Sequence, residues 1–106
     1  MRREELKGHL DLILLAALEG EPAHGYGIIR AIDELTGGTF DLAEGTIYPA
    51  LQRLEVAGHL ASAWETVGGR RRRVYRLTTP GQRELARRRQ QWGQFALAMT
   101  RLVETP

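Results

Sequence analysis

The segment Gly68-Gly69-Arg70-Arg71-Arg72-Arg73-Val74-Tyr75-Arg76-Leu77 constrains the fold of this chain more than any other. Two adjacent glycines between extended runs read as a tight hairpin turn, because glycine reaches positive φ without a Cβ penalty. The strands on either side are predicted at about Leu60 to Thr66 and Arg72 to Leu77. Four arginines in a row beside the turn repel one another and give a fold nothing in return, so they point to a polyanionic partner.

The placement of charge agrees. Between Arg70 and Arg89 nine arginines stand against one acid, Glu84, a local charge of +8, while the remaining residues carry −6 of the formal total of +2. Such asymmetry is the footprint of a nucleic-acid contact. The Arg87-Arg88-Arg89 run, within a predicted helix, reads instead as a solvated face.

With 106 residues the chain makes one domain with a modest core. It has no cysteine, which removes disulfides, thiolate nucleophiles and Cys-ligated zinc and suits the cytoplasm. The longest apolar run, Leu12 to Leu18, is too short for a bilayer, and the N-terminus lacks the layout of a signal peptide, so no membrane partner is expected. His9, His24 and His59 have no metal-ligand spacing. Neither a nucleophile elbow, a phosphate-cradling glycine loop nor a paired carboxylate set is visible, and the chain reads as a binding protein with no cofactor and no catalytic site.

Three helices are predicted before the hairpin. The first, about Glu4 to Leu18, carries Leu10, Leu12, Ile13, Leu14 and Leu15 around all its sides, which requires cover from a second subunit. The second, about His24 to Leu35, places Ile28, Ile29 and Ile32 on one face and stops at Gly37-Gly38. The third, about Glu44 to Ala57, buries an Ile47, Leu51, Leu54 stripe and presents Thr46, Tyr48, Gln52 and Arg53, side chains suited to phosphates and base edges. Pro49 is expected to distort its first turn. After the hairpin, Thr79-Pro80-Gly81-Gln82 has capping-box spacing and opens a last helix. Along it Leu85, Trp92 and Met99 recur every seven residues, with Phe95 and Leu102 in the intervening seam, a stripe that predicts dimerisation although Arg88 interrupts it. Trp64 reads as a core residue.

Three helices followed by a basic hairpin is the order of a winged helix-turn-helix, in which the third helix enters the major groove and the wing meets backbone or minor groove. The fold expected is therefore mainly α with a small β-hairpin, a DNA-binding domain over residues 1–78 and a C-terminal dimerisation helix over 79–106. His24-Gly25-Tyr26, Gly45-Thr46-Ile47-Tyr48-Pro49-Ala50-Leu51-Gln52-Arg53-Leu54-Glu55 and Gly69-Arg70-Arg71-Arg72-Arg73-Val74-Tyr75-Arg76-Leu77-Thr78 closely resemble the signature segments of PadR-like transcriptional regulators, in the family's order and spacing. By length the chain is similar to the short subfamily with one C-terminal dimerisation helix.

The resemblance implies a cytoplasmic homodimeric repressor that binds a pseudo-palindromic operator in double-stranded DNA and is released by a small molecule. The residues it assigns to DNA are His24, Tyr26, Thr46, Tyr48, Pro49, Gln52, Arg53, Arg70, Arg71, Arg72 and Arg73. Those it assigns to the dimer are Leu10, Leu14, Leu85, Trp92, Phe95, Met99 and Leu102, with the last helix packed on the first helix of the other subunit. In some short relatives a tryptophan of the last helix lines a pore that stacks planar aromatic compounds. Trp92, with Phe95 beside it, falls at a similar place, and a tryptophan on an apolar stripe also serves as packing. The chain departs from many relatives in carrying Ala43-Glu44 for Ser-Pro, which leaves the third helix without a hydroxyl cap unless Asp41 starts it early. It also has Gly-Arg-Arg where Gly-Arg-Pro is common in the wing. Two other readings stay open: a winged helix that contacts an acidic protein partner, and a multidrug-binding dimer with no operator of its own.

Overall fold

Why the first helix is not continuous is visible at its sixth residue. The computed structural model, which describes Met1 and residues 3–104, has α1 at Arg3–Leu6, a 3₁₀ turn at Lys7–His9 and α2 at Leu10–Ala17. The single helix expected from Glu4 is thus broken where Gly8, a poor helix former, sits in the turn. Leu6 and the Leu14, Leu15, Leu18 group are buried on either side of the break.

A two-residue strand β1 (Ala23–His24), which the sequence did not announce, leads into α3 (Gly25–Thr36), and Gly37 closes that helix with φ 61°. Helix α4 (Glu44–Val56) follows, then β2 (Leu60–Val67), β3 (Arg70–Leu77) and α5 (Thr79–Glu104). The sheet order is β1-β3-β2, all antiparallel, with Ala23 opposite Tyr75 and Leu60 opposite Leu77. Gly68 and Gly69 form the hairpin turn with φ of 59° and 80°, as a type I′ turn requires at both central positions. Arg70 and Arg71, expected in the turn region, are already paired in β3 opposite Val67 and Thr66.

Helix α4 runs through Pro49 without a break. Its start is the feature the sequence put in question: Ala43 is the N-cap, makes no side-chain bond, and its carbonyl accepts from both Thr46 N (3.0 Å) and Ile47 N (3.3 Å). Asp41 does not substitute for the missing hydroxyl, because the helix begins only at Glu44. At α5 the cap is one residue earlier than the spacing suggested. Thr78 Oγ1 accepts from Gly81 N at 3.0 Å and donates to the Gly58 carbonyl at 2.6 Å, which ties the helix to the loop after α4.

The core lies between α2, α3, α4 and the base of the sheet, with Leu14, Leu15, Ile28, Ile47, Leu51, Leu60 and Leu85 at its centre. Leu14 and Leu85, assigned in the sequence to the subunit interface, are fully enclosed here by their own chain and have no surface left for a partner. Beyond Leu85 α5 has no buried residue, and Trp92, Phe95, Met99 and Leu102 stand exposed along it. The arginine run at its root is not simply solvated. Arg89 pairs with Glu19 (2.6 Å), and Arg88 reaches both Glu84 (2.6 Å) and Asp11 (3.6 Å), fastening α5 to α2. No helix among the described residues is long and apolar enough to cross a membrane.

Candidate nucleic-acid interface

Helix α4 turns Ile47, Ala50, Leu51 and Leu54 inward, and helical geometry puts the other side chains at three angles to that stripe. Pro49 and Gln52 lie opposite the core and are exposed. Tyr48 lies on the flank toward the wing, and Thr46 and Arg53 lie on the other flank. The face predicted to meet DNA is therefore a crest with Gln52 at its centre and cations or hydroxyls on its shoulders.

On the wing side, Tyr48 packs over Gly25 and pairs with Glu44. Burial pushes its hydroxyl above the ordinary tyrosine range. Beside it His24, the residue before α3, stacks near Tyr26 at 6.5 Å between ring centroids. Burial, and then the neighbouring Arg72 guanidinium, hold the His24 imidazole below its ordinary value and so favour the neutral form. A concavity of about 410 Å³ opens between the His24 and Tyr48 rings and the Arg71 to Arg73 segment of β3.

The four wing arginines differ in what they can offer. Arg73 Nε donates to Ser62 Oγ (2.9 Å), its guanidinium stands 3.8 Å from Glu55, and it lies 5.7 Å from the Trp64 ring centroid. That network joins the wing to α4 and occupies Arg73. Arg72 is partly buried beside His24, whereas Arg70 and Arg71 are exposed and form no ion pair among the described residues. Trp64, expected in the core, is instead 56% exposed: the β2 stretch that carries it extends past the body, and Arg73 is what it touches. Arg76 pairs with Glu65 across the hairpin. On the far shoulder of α4, Arg53 donates to Asp11 Oδ1 at 3.1 Å.

The candidate ligand residues form a separate place on α5. Trp92 meets His9 edge-on at 5.4 Å and Phe95 at 5.7 Å, and with Leu12 and Arg88 these rings line a cleft of about 210 Å³. An apolar groove of about 590 Å³ continues from it along α1, α2 and α3, past Leu6, Ile13, Ala17, Ile32 and Phe40. Among the described residues no group of three His, Cys, Asp or Glu is placed to hold a metal ion.

Known proteins match this chain over most of its length. The model of the "Transcriptional regulator PadR-like family" matches residues 14–87. The transcriptional regulator Rv3488 of Mycobacterium tuberculosis is 36% identical over 83 residues, which cover 78% of this chain and 75% of that protein. A transcriptional regulator from Clostridium thermocellum, Cth-833, superposes with a TM-score of 0.84 at 27% identity, covering 95% of this chain and 99% of the other. Bacillus subtilis PadR, solved in complex with operator DNA, superposes with a TM-score of 0.64 at 27% identity over 73% of this chain and 44% of that one. The three helices, the basic wing and the long last helix are thus a winged helix-turn-helix of a known kind, and the family it matches is one of regulators rather than enzymes. This chain belongs to the PadR-like family of transcriptional regulators.

Proposed function

We propose that this protein is a cytoplasmic, homodimeric repressor that reads a two-fold symmetric operator with α4 and grips its backbone with the wing. The observation that carries the reading is the division of side chains around α4: a buried apolar stripe, Gln52 exposed on the opposite crest, and two unpaired wing guanidinium groups, Arg70 and Arg71, on the adjacent hairpin. Exposed guanidinium groups suit phosphates, and an amide on a helix crest suits a base edge. Bacillus subtilis PadR, which superposes on this chain, has been solved in complex with operator DNA, which supports a DNA-binding role.

The dimer is assigned to the exposed part of α5 and to the groove along α1 and α2. Leu10, Trp92, Phe95, Met99 and Leu102 carry it, since Leu14 and Leu85 are spent inside the chain. The 1–78 segment then serves DNA and the 79–106 segment serves assembly. A planar aromatic effector is assigned to the cleft beside Trp92 and Phe95, whose rings lie 5.7 Å apart at a tilt of 38°. Footprinting on DNA flanking the protein's own gene tests the reading. Protection of two half-sites about 10 bp apart, or a near multiple, supports it. Binding to an acidic protein with no protection of any duplex supports the protein-interaction alternative.

A further inference from the structure

Asp11 stands at a crossing between the last helix and the DNA-facing helix. Its Oδ1 accepts from Arg53 on α4 at 3.1 Å, and its Oδ2 lies 3.6 Å from the guanidinium of Arg88 on α5. Arg88 is itself held by Glu84 through Nε at 2.6 Å, and Glu84 is shared with Arg87. Carboxylate and guanidinium therefore alternate along Glu84, Arg88, Asp11 and Arg53, from the wall of the Trp92 cleft to the shoulder of α4.

A DNA phosphate that engages Arg53 meets the Asp11 carboxylate at the same guanidinium. The two anions compete for it, and they repel each other at a separation far below the screening length of physiological salt. Arg88 decides how strongly Asp11 competes, because a carboxylate that shares its charge with a second cation holds the first less tightly. We propose that Asp11 is an internal competitor of DNA phosphate for Arg53, and that Arg88 on the C-terminal helix sets the strength of that competition. Asp11 is thus a positioning residue that touches no DNA. The inference rests on the DNA-binding reading above.

Arg53 is well exposed, with 62% of its side-chain surface accessible, so the competition is modest. Exposed pairs of this kind correspond to at most about a fivefold change in an equilibrium constant. The test is a double-mutant cycle on binding of the full-length protein to duplex DNA carrying the footprinted site, titrated across salt concentrations. Asp11→Asn is expected to tighten binding about threefold per half-site and to steepen the slope of log affinity against log salt by about one unit, as Arg53 passes to a phosphate. In an Arg53→Gln background the same change is expected to have no effect beyond its uniform change in net charge. Arg88→Gln is expected to weaken binding when Asp11 is present and to have no effect beyond its uniform change in net charge when Asp11 is Asn. Because the cycle reads coupling, a partial loss of folded protein common to both backgrounds cancels from it. Equal effects of Asp11→Asn with and without Arg53, or an equal loss from Arg88→Gln with and without Asp11, overturn the proposal while leaving the DNA reading intact. A wild-type protein that binds no duplex overturns both.

Discussion

The hydroxyl end of the Tyr48 side chain fills the place a side chain would take on Gly25. A Cβ built on Gly25 would stand 2.7 Å from Tyr48 Cζ and closer still to the hydroxyl oxygen. The first residue of α3 and the flank of α4 are thereby locked at one spacing, which sets how far the α4 crest stands from the wing. Gly25→Ala should cost about 1–3 kcal/mol in chemical denaturation, as overpacking does. In a Tyr48→Ala background the same change should cost much less, and equal costs in the two backgrounds would show that the ring is not the obstacle.

Met99 is exposed in its own chain and belongs to the stripe assigned to the subunit interface. A charge placed there meets water in the monomer and apolar surface only in the dimer. Met99→Asp should therefore weaken dimerisation by several kcal/mol while the helix-turn-helix body keeps its melting temperature. Sedimentation at micromolar concentration reads this outcome. An unchanged dimer would move the interface elsewhere.

Trp92 is 45% exposed, with one edge on His9 and Phe95 beside it. A ring so placed contributes less to its own chain than an enclosed one, so Trp92→Ala should cost under about 2 kcal/mol, below the 3–5 typical of buried aromatic truncations. As an effector platform it should also lose planar aromatic dye binding, followed by fluorescence, while the dimer persists through Leu10, Phe95, Met99 and Leu102. Loss of the dimer with dye binding retained would assign Trp92 to packing.

Glu84 supplies a pH dependence. Hydrogen bonds from Arg87 and then Arg88, together with their charge, hold its carboxyl down to about 2 against an ordinary 4.5, despite opposing burial. A folded-state value below the unfolded one contributes stability that is complete above the unfolded pKa and disappears as pH falls through the folded one. Thermal melts of the wild type should lose that increment between about pH 4.5 and 2. Glu84→Gln should be less stable at neutral pH and flatter across this window. A wild type and variant with parallel pH profiles would detach Glu84 from acid stability.

Much of this architecture is legible in the sequence because it is local. The glycine pair dictates its own turn, the Ile47, Leu51, Leu54 spacing fixes the inward face of α4, and the heptad stripe of α5 is left exposed where a partner is expected. What escaped was set by contacts across the chain. A two-residue edge strand such as β1 has no periodicity to read, and its existence depends on β3 arriving beside it. Alternation placed Trp64 on a strand face without saying that the strand outruns the body. Thr78 and Thr79 are equivalent as letters, and only the Gly58 carbonyl within reach of Thr78 selects it as the cap. The pairs Asp11 with Arg53 and Glu19 with Arg89 lie 42 and 70 residues apart, so no spacing rule could reveal that these two exposed arginines are held in ion pairs.

In the proposed function wing and helix divide the work, Arg70 and Arg71 holding phosphates and Gln52 reading a base. Equilibrium titration of operator and random duplexes across salt tests it on three proteins. Arg70→Ala with Arg71→Ala should weaken both duplexes alike and make the slope of log affinity against log salt shallower by roughly one unit per lost phosphate contact. Gln52→Ala should leave that slope unchanged and cost about 1–3 kcal/mol on the operator alone. An unchanged slope in the double arginine variant, or an equal loss on both duplexes from Gln52→Ala, would contradict the account.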